Sequence, residues 1–555
     1  MVKRNPPNEE VRGLCLSLKP ILGKQVNKIW QNYLFEDKEG KEEIAEYLEM
    51  LASSMLSGTL EIKRPVILPP DKDQAAGSFG LGNIFYNGKE LYPFGLRQSE
   101  IVQHIGIFGR SGSGKTNLGF LVVQNLVNSK LPFLIFDWKR NYRDLLNLPG
   151  YENVLDYTIG RKTVPFRFNP LIPPKNTPPK VWMKKLIEVI AHAFFLGDGV
   201  IYLLQTAIDH VYEASGVYEG NVKSYPTFRD VLGWLKEYPV KGREQNWMTS
   251  TLRAVSTLCF GEMDNLINTG RNEGLEDLMN KQVILELDSL TQSDKIFFIE
   301  TLILWIHHFR MAQNRREKLD QVIMIEEAHH ILSTGRRSLS GGESVMDVVF
   351  REIREFGVGL IVIDQHPSEI SLTALGNAYT TICMNLKSRS DVSTMAGCML
   401  LHDDQKDVLG NLDISEAVVK LQGRVHEPFM IKIPEMDIKK GSVTDEQLAK
   451  YMAPHVIAED DLSDENMELS DEALDFLKDV ALAPKSGIAA RYKRLGVSVR
   501  QGEKVKHGLL DKGLVKEQEN STSEGRIKII WLTDEGEKLL ESRVDEAGQT
   551  AAPDN

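Results

Sequence analysis

Cysteine is scarce in this chain. Cys15, Cys259, Cys383 and Cys398 are spread over 555 positions and no two form a CxxC pair. Such spacing argues against a disulfide framework or a structural zinc site and leaves buried free thiols in a reducing compartment as the expectation. Long apolar runs are also missing. Met1 to Glu10 is polar with no apolar core behind it, so no signal peptide is expected. The most apolar region, Val189 to Ile208, is broken by His192, Gly197, Asp198, Gly199 and Gln205. A membrane span needs about 20 mostly apolar residues without such breaks, so a cytoplasmic protein with no membrane partner is expected. Positive charge is not in excess either. The net charge of −12 argues against a surface coated in nucleic-acid-binding charge, and leaves room for a local basic site or channel. There is no internal repeat.

What the chain does have is an ordinary globular composition, 42% hydrophobic and 26% charged, and enough length for one large core with smaller domains. Residues 1–58 have apolar positions at helical spacing. Residues 59–100 break into short extended pieces such as Glu61 to Leu68 and Gly82 to Tyr86, a lead-in to the core. From 101 to 440, short apolar runs recur at Ile101–Phe108, Pro132–Phe136, Val283–Leu287, Val322–Ile325, Gly359–Ile363 and Thr380–Leu386. Each is bounded by polar or turn residues, as in buried strands of a mostly parallel sheet, and helical stretches lie between them. The fold class is therefore α/β, a P-loop core with a mostly parallel sheet. A mainly helical insertion covers about 169–280. Ala417–Gln422 and Phe429–Ile433 suggest an antiparallel hairpin at the sheet edge. Residues 441–470 look like an acidic linker, since Glu459 to Asp475 holds nine acids and no Lys or Arg. Residues 471–542 form a further domain, and 543–555 a disordered tail.

The strongest local signal is Gly109-Arg110-Ser111-Gly112-Ser113-Gly114-Lys115-Thr116, a complete GxxxxGK[ST] phosphate loop between a strand and a helix. Its glycines let backbone N–H groups face phosphate oxygens. Lys115 brings positive charge to the β/γ-phosphates, and the Thr116 hydroxyl suits a Mg²⁺ ligand. Asn117, next in line, is placed with the nucleotide contacts. A second signal is the apolar run Val322-Ile323-Met324-Ile325 ending in Glu326-Glu327. Beside a phosphate loop, Glu326 suits holding hydrated Mg²⁺, and Glu327 suits orienting or deprotonating the attacking water. Two solvated acids at a strand end are the bland alternative. Met346 to Phe356 has the pattern of an amphipathic helix carrying Arg351, Arg354 and Glu355 on one face, where a surface ion pair is the usual outcome. Gln365, at the tip of the next strand, suits sensing a γ-phosphate or simply forming a turn. The implied cofactors are ATP and Mg²⁺.

These pieces, in the order GRSGSGKT, FDWKRNY, FNPL, IMIEEAHHIL and REIREFGVGLIVIDQHPSEI, resemble the HerA/FtsK superfamily, nearest its HerA branch and the related conjugative coupling proteins. The resemblance covers about residues 80–435 and implies a RecA-like core. It implies that Asp137 is the acid ending the second strand near the nucleotide, and that Gln365 is the sensor-like residue. It further implies that Arg351 or Arg354 reaches a neighbour's ATP, because the family forms hexameric rings that pump DNA, or in some branches protein, through a central channel. The sequence departs from the family at its start. Residues 1–80 do not look like the small β-barrel of archaeal HerA proteins, and the membrane helices of coupling proteins are absent.

The C-terminal region points to DNA. Leu474–Val480, Gly487–Leu495 and Val499–Leu510, then Leu514–Glu517 and Ile527–Leu532, follow the order of a winged helix. Pro484 to Lys516 holds nine Lys or Arg against two acids. Val499–Leu510 would be the recognition helix, and Arg491, Lys493, Arg494, Arg500, Lys504 and Lys506 are the candidate duplex contacts. A protein-docking winged helix is the alternative. The functions in view are a ring motor that translocates along or unwinds double-stranded DNA with a nuclease or other effector partner, a protein-translocating or remodelling ATPase, and the ATPase subunit of a defence complex.

Overall fold

The structure, a computed structural model, describes residues 8–55, 67–333, 344–455 and 471–540, with positions 221, 223, 273, 314, 315, 317, 485, 498, 512, 523, 524, 534, 538 and 539 excepted. Most of the expected strand Glu61–Leu68, the acidic run from Glu459 to Ser470 and the tail 543–555 lie outside the described residues. The chain divides into two compact units, Met1–Val456 and Ile457–Asn555.

The first unit is built on one eleven-stranded sheet. Its strands are β1 (Phe79–Tyr86), β2 (Lys89–Leu96), β3 (Ile105–Phe108), β4 (Phe133–Asp137), β5 (Val154–Thr158), β6 (Gln282–Glu286), β7 (Gln321–Glu326), β8 (Val358–Asp364), β9 (Thr380–Cys383), β10 (Glu416–Leu421) and β11 (Phe429–Lys432). They lie in the order β2-β1-β11-β10-β9-β3-β8-β7-β4-β6-β5. From β9 to β5 every pairing is parallel, and from β9 to β2 every pairing is antiparallel. The central strands are apolar on both faces because helices cover both. Helix Lys115–Asn128 packs Leu118, Val123 and Leu126 into one layer, and the almost wholly buried helix Gln292–Ala312 fills the other.

Several expectations shift. The segment expected as strand from Ile101 begins as a short helix, Gln98–Ile101, and β3 starts only at Ile105. His104 between them has a left-handed backbone, φ 71. Its buried ring bonds the Phe350 carbonyl (2.8 Å) and accepts from the Leu360 N–H (3.0 Å), which assigns a neutral ring with the proton on Nε2. Burial holds its pKa down at about 4. β5 was not foreseen. The β10–β11 hairpin exists but is not at the edge, because the β1–β2 hairpin pairs onto β11. Gly441 to His455 is not a free linker. Asp144 accepts the N–H groups of Gly441, Ser442 and Val443, and helix Asp445–Met452 buries Leu448 and Met452.

The insertion is helical, with Pro179–Phe194, Asp198–Ala214, Phe228–Glu237, Glu244–Leu258, Gly261–Ile267 and Leu275–Leu278 between β5 and β6. The apolar stretch Val189 to Ile208 is split between two of these helices, and no described helix is long and apolar enough to cross a membrane. Helices Asn8–Leu22, Lys24–Phe35 and Lys38–Met55 gather around Val11, Leu18, Tyr33 and Leu48. All four cysteines are free.

The second unit has helices Asp471–Leu482, Ile488–Leu495 and Val499–Asp511, followed by the antiparallel pair β12 (Val515–Thr522) and β13 (Gly525–Leu532). Gly487 makes an isolated bridge to Ile529 beside this two-stranded pair. Phe476, Leu477, Tyr492, Leu509 and Ile530 form its core.

Candidate active site

The site lies along the carboxyl ends of β3, β8, β7 and β4, where an open parallel sheet offers a crevice. The phosphate loop leaves β3 at Gly109, whose N–H bonds the Asp364 carbonyl (3.2 Å), while the Arg110 N–H bonds the Asn385 carbonyl (2.7 Å). Gly112 (φ 77) and Gly114 (φ 109) take left-handed conformations that side chains disfavour. Ser113 is buried, whereas Arg110, Ser111 and Gly112 are exposed. The Arg110 guanidinium bonds the Asn385 side chain (2.8 Å). Gly114 caps helix Lys115–Asn128, which puts the loop at the positive end of the helix.

Lys115 folds over that loop and donates to the carbonyls of Gly109 (2.6 Å) and Arg110 (3.0 Å). Burial lowers its pKa to about 8, and Glu327, Asp364 and Glu326 partly offset the effect. The Thr116 hydroxyl makes no hydrogen bond among the described residues and is free to meet a ligand.

At the tip of β7 the two acids part. Glu326 is buried, and its carboxylate accepts from the Tyr142 hydroxyl (3.2 Å) and the Asn141 amide (3.2 and 3.4 Å). Burial, then the nearby Asp137, raises its pKa to about 8. Glu327 has a left-handed backbone, φ 49, which turns its side chain away from that of Glu326. Its Oε1 accepts from Lys139 Nζ (2.5 Å) and Gln365 Nε2 (2.7 Å). His329 sits on the Asp364 carboxylate, with Nδ1 at 2.9 Å and the His329 N–H at 2.7 Å. Burial pulls the His329 ring down and Asp364 more than offsets this, leaving its pKa above the usual value.

The expected residues therefore fall into groups. Lys115, Glu326 and Glu327 come together, Gln365 donates to Glu327, and Thr116 follows Lys115 at the start of the helix. Asp137 is close by but does not face a ligand. It is fully buried, and its carboxylate accepts the N–H groups of Lys139 (3.1 Å), Asn141 (2.9 Å) and Tyr142 (2.9 Å), so it shapes the turn after β4. Asn117 is likewise spent on structure, since its amide bonds the Pro434 carbonyl and the Met436 N–H, each at 2.8 Å. Arg351 and Arg354 are exposed and sit where helix Val345–Glu352 and the turn after it lead into β8. That is the opposite end of β8 from Gln365, a separation of roughly 20 Å at strand rise, so neither reaches its own chain's phosphate loop. Arg351 lies 4.0 Å from Glu352, and Glu355 meets Arg316 at 3.9 Å.

Two of the duplex contacts are corrected. Arg491 is fully buried and bound to Asp479 (2.6 Å) and to the carbonyls of Ala483 and Ser486. Lys506 is buried between Glu503 (2.7 Å) and Glu517 (3.2 Å). Both hold the second unit together and neither faces a duplex. Arg494 is exposed but forks onto Asp479 (2.8 and 3.0 Å), and Lys493 is exposed. Arg500 and Lys504 lie on helix Val499–Asp511, with side chains outside the described residues.

Sequence reasoning assigned no role to Lys139, Asn141, Tyr142, His329 or Asp364. Three of them lie in the quoted FDWKRNY text, directly behind Asp137, and their position after a strand tip was the available signal.

A loop in which the N–H groups of Ser111, Gly112 and Gly114 make no hydrogen bond among the described residues, with Lys115, the Thr116 hydroxyl and a buried Glu326 carboxyl held by neutral donors, fits a nucleotide phosphate with a divalent cation.

Comparison with known proteins agrees with this geometry. Residues 80–191 match the family described as Helicase HerA, central domain. The chain is 24% identical over 409 residues to a DNA double-strand break repair helicase HerA of Sulfolobus acidocaldarius, covering 68% of this chain and 74% of that protein. It is 22% identical over 372 residues to the protein of the same name from Saccharolobus solfataricus, covering 64% and 68%. Among solved structures it resembles VirB4 of Thermoanaerobacter pseudethanolicus, with a TM-score of 0.50 and 15% identity over 67% of this chain and 97% of that one. The last likeness speaks to the fold, a RecA-like core.

The raised Glu326 pKa has a consequence for stability. In the folded chain this acid titrates near 8, against an ordinary 4.5. The folded state therefore binds more protons between those values. Its contribution is fully present below the lower value and is lost as pH rises through the upper one. Glu326→Gln is neutral at every pH. Without nucleotide or divalent ions it is expected to melt above the wild type at pH 8 and close to it near pH 5. Scanning calorimetry across that range checks this, and an unchanged difference in Tm would show that Glu326 titrates normally.

Proposed function

With a core of the HerA/FtsK-type P-loop ATPases, we propose that the protein is a Mg²⁺-dependent ATPase that works as a ring, most simply a hexamer, and translocates along or unwinds double-stranded DNA beside a nuclease or other effector partner. The observation that carries the ATPase reading is the meeting of Lys115, Glu326 and Glu327 around one crevice. Bound Mg²⁺ would supply charge neutralisation on the phosphates, with the Thr116 hydroxyl and Glu326 as its holders. Lys115 leaves the carbonyls of Gly109 and Arg110 for the β/γ-phosphates. Glu327, steered by its turned backbone and by Gln365, orients water and takes its proton. The DNA reading rests on the HerA helicases that the chain resembles and on the winged-helix order of the second unit. The protein-translocating reading has one observation in its favour: Arg491 and Lys506 are withdrawn from the basic surface.

ATP turnover measured with and without duplex DNA tests the proposal. Wild type is expected to hydrolyse ATP only with Mg²⁺ and faster with DNA. Lys115→Ala is expected to lose binding or turnover. Glu327→Gln is expected to bind ATP and fail to hydrolyse it, and normal turnover in Glu327→Gln would refute the role given to that acid.

The ring reading makes Arg351 or Arg354 a finger in trans, since neither reaches its own phosphate loop. In systems where such an arginine was measured it is worth roughly 10³–10⁵ in rate. Arg354→Ala, or Arg351→Ala, is expected to fold, assemble and bind ATP while losing most hydrolysis. Mixed with Glu327→Gln it should recover some activity, because some interfaces then pair an intact acid with an intact arginine. No recovery, with a monomeric mass under ATP in light scattering, would overturn the ring.

For DNA, Lys493, Arg500 and Lys504 are the remaining candidates with Arg494. Replacing those three by Ala in the full chain is expected to weaken duplex binding and to flatten the slope of log affinity against log salt by up to about 0.9 per lost phosphate contact. Fluorescence anisotropy at several salt concentrations checks this. An unchanged slope favours a protein-docking role for the second unit.

A further inference from the structure

Glu327 is met by a lysine that the motif does not contain. Lys139 Nζ lies 2.5 Å from Glu327 Oε1, and the two side chains are 55% and 14% exposed. The contact is not an isolated surface pair. Trp138, one residue earlier, stacks on His330 with ring centroids 5.1 Å apart and planes at 24°. The turn after β4 and the turn after β7 are therefore zipped by two adjacent pairs, Trp138 with His330 and Lys139 with Glu327. The Lys139 backbone is anchored as well, through its N–H to the buried Asp137 carboxylate (3.1 Å). What remains free to move is the four-carbon arm. The ammonium is also in the right neighbourhood: Lys115 has Glu327, Asp364, Lys139 and Glu326 as its charged neighbours.

We propose that Lys139 is a further catalytic residue of this ATPase, a cation supplied by the same chain that pairs with Glu327 and moves to the γ-phosphate when nucleotide binds. This rests on the ATPase reading above. An ammonium on a carboxylate makes it a poorer acceptor for a water proton. A half-exposed lysine–carboxylate pair is weakly held, whereas a triphosphate concentrates negative charge and competes well for a mobile ammonium. When Lys139 moves, Glu327 keeps Gln365 and gains a free oxygen lone pair for the water. In the step itself the water oxygen forms the new bond to the γ-phosphorus as the bond to the β–γ bridging oxygen breaks. The water proton passes to Glu327 and leaves with the product phosphate. Lys139 keeps its protons throughout and stabilises charge on the transferred group. The lysine thus links nucleotide occupancy to release of the base, and it adds a cation to the arginine expected from a neighbour.

The test compares Lys139→Met, Lys139→Gln and Lys139→Arg in the full chain with Mg²⁺-ATP. Steady-state turnover, binding of a fluorescent ATP analogue and melting temperature are measured for each. Lys139→Met and Lys139→Gln are expected to lower kcat by about 100-fold or more, the size of effect seen on removing one transition-state charge stabiliser. Analogue affinity and Tm should stay near wild type. Lys139→Arg should recover most of kcat. In the Glu327→Gln background, Lys139→Met should cost little further, since the two groups act as a unit. Neutral variants that turn over within about threefold of wild type would overturn the proposal. So would a loss that tracks Tm or analogue affinity alone, or a Lys139→Arg as inactive as Lys139→Met. An inactive wild type would remove the ATPase reading and this one with it; an active wild type with an equally active Lys139→Met removes only the lysine.

Discussion

One buried carboxylate organises the site. Asp137 ends β4 with no exposure to solvent, and three backbone N–H groups, from Lys139, Asn141 and Tyr142, converge on it. A buried anion without partners would be costly, and charge-assisted bonds from the main chain are what make it tolerable. Burial still outweighs them, since the Asp137 pKa is raised to about 6. The chain answers by wrapping tightly, with Arg140 at a left-handed φ of 60. Everything that reaches the two candidate acids from this side starts on that wrapped turn.

The turn faces two ways. Inward, Asn141 and Tyr142 hold Glu326 and Lys139 holds Glu327. Outward, Arg143 spans the fully buried Glu286 (2.5 Å) and Asp445 (2.5 Å), and Asp144 takes the N–H groups of Gly441, Ser442 and Val443. These five residues therefore join the nucleotide crevice to the segment that closes the first unit. Arg143 is nearly as buried as Glu286, so the pair is well shielded from solvent, and removing either partner would leave an uncompensated charge. Such a turn cannot shift at one end without disturbing contacts at the other.

Legibility followed the range of the interactions. The phosphate loop and the Glu326-Glu327 tip were readable because their chemistry is contained in a few consecutive residues flanked by apolar strand. The parallel α/β core was readable from continuous apolar runs. β5 was not, because Val154–Thr158 carries Asp156 in its middle and breaks the pattern. The edge of the sheet was misplaced because nothing local in Phe79–Tyr86 says that it pairs with β11, more than 340 residues on. Lys139 was passed over for the same reason. A lysine after a strand looks like a solvated charge, and its partner lies 188 residues away.

The basic cluster of the second unit shows the limit of counting charge along a window. Pro484 to Lys516 carries a clear excess of positive residues, yet the acids that answer them lie partly outside it. Asp479, on the preceding helix, takes both Arg491 and Arg494, and Glu517, on β12, shares Lys506 with Glu503. A guanidinium that is fully buried and forked onto its own domain contributes to folding, not to a nucleic-acid field. A positive surface therefore has to be built from residues that remain outside such pairs. In this unit Lys493 is such an exposed residue, and Arg500 and Lys504 belong to helix Val499–Asp511.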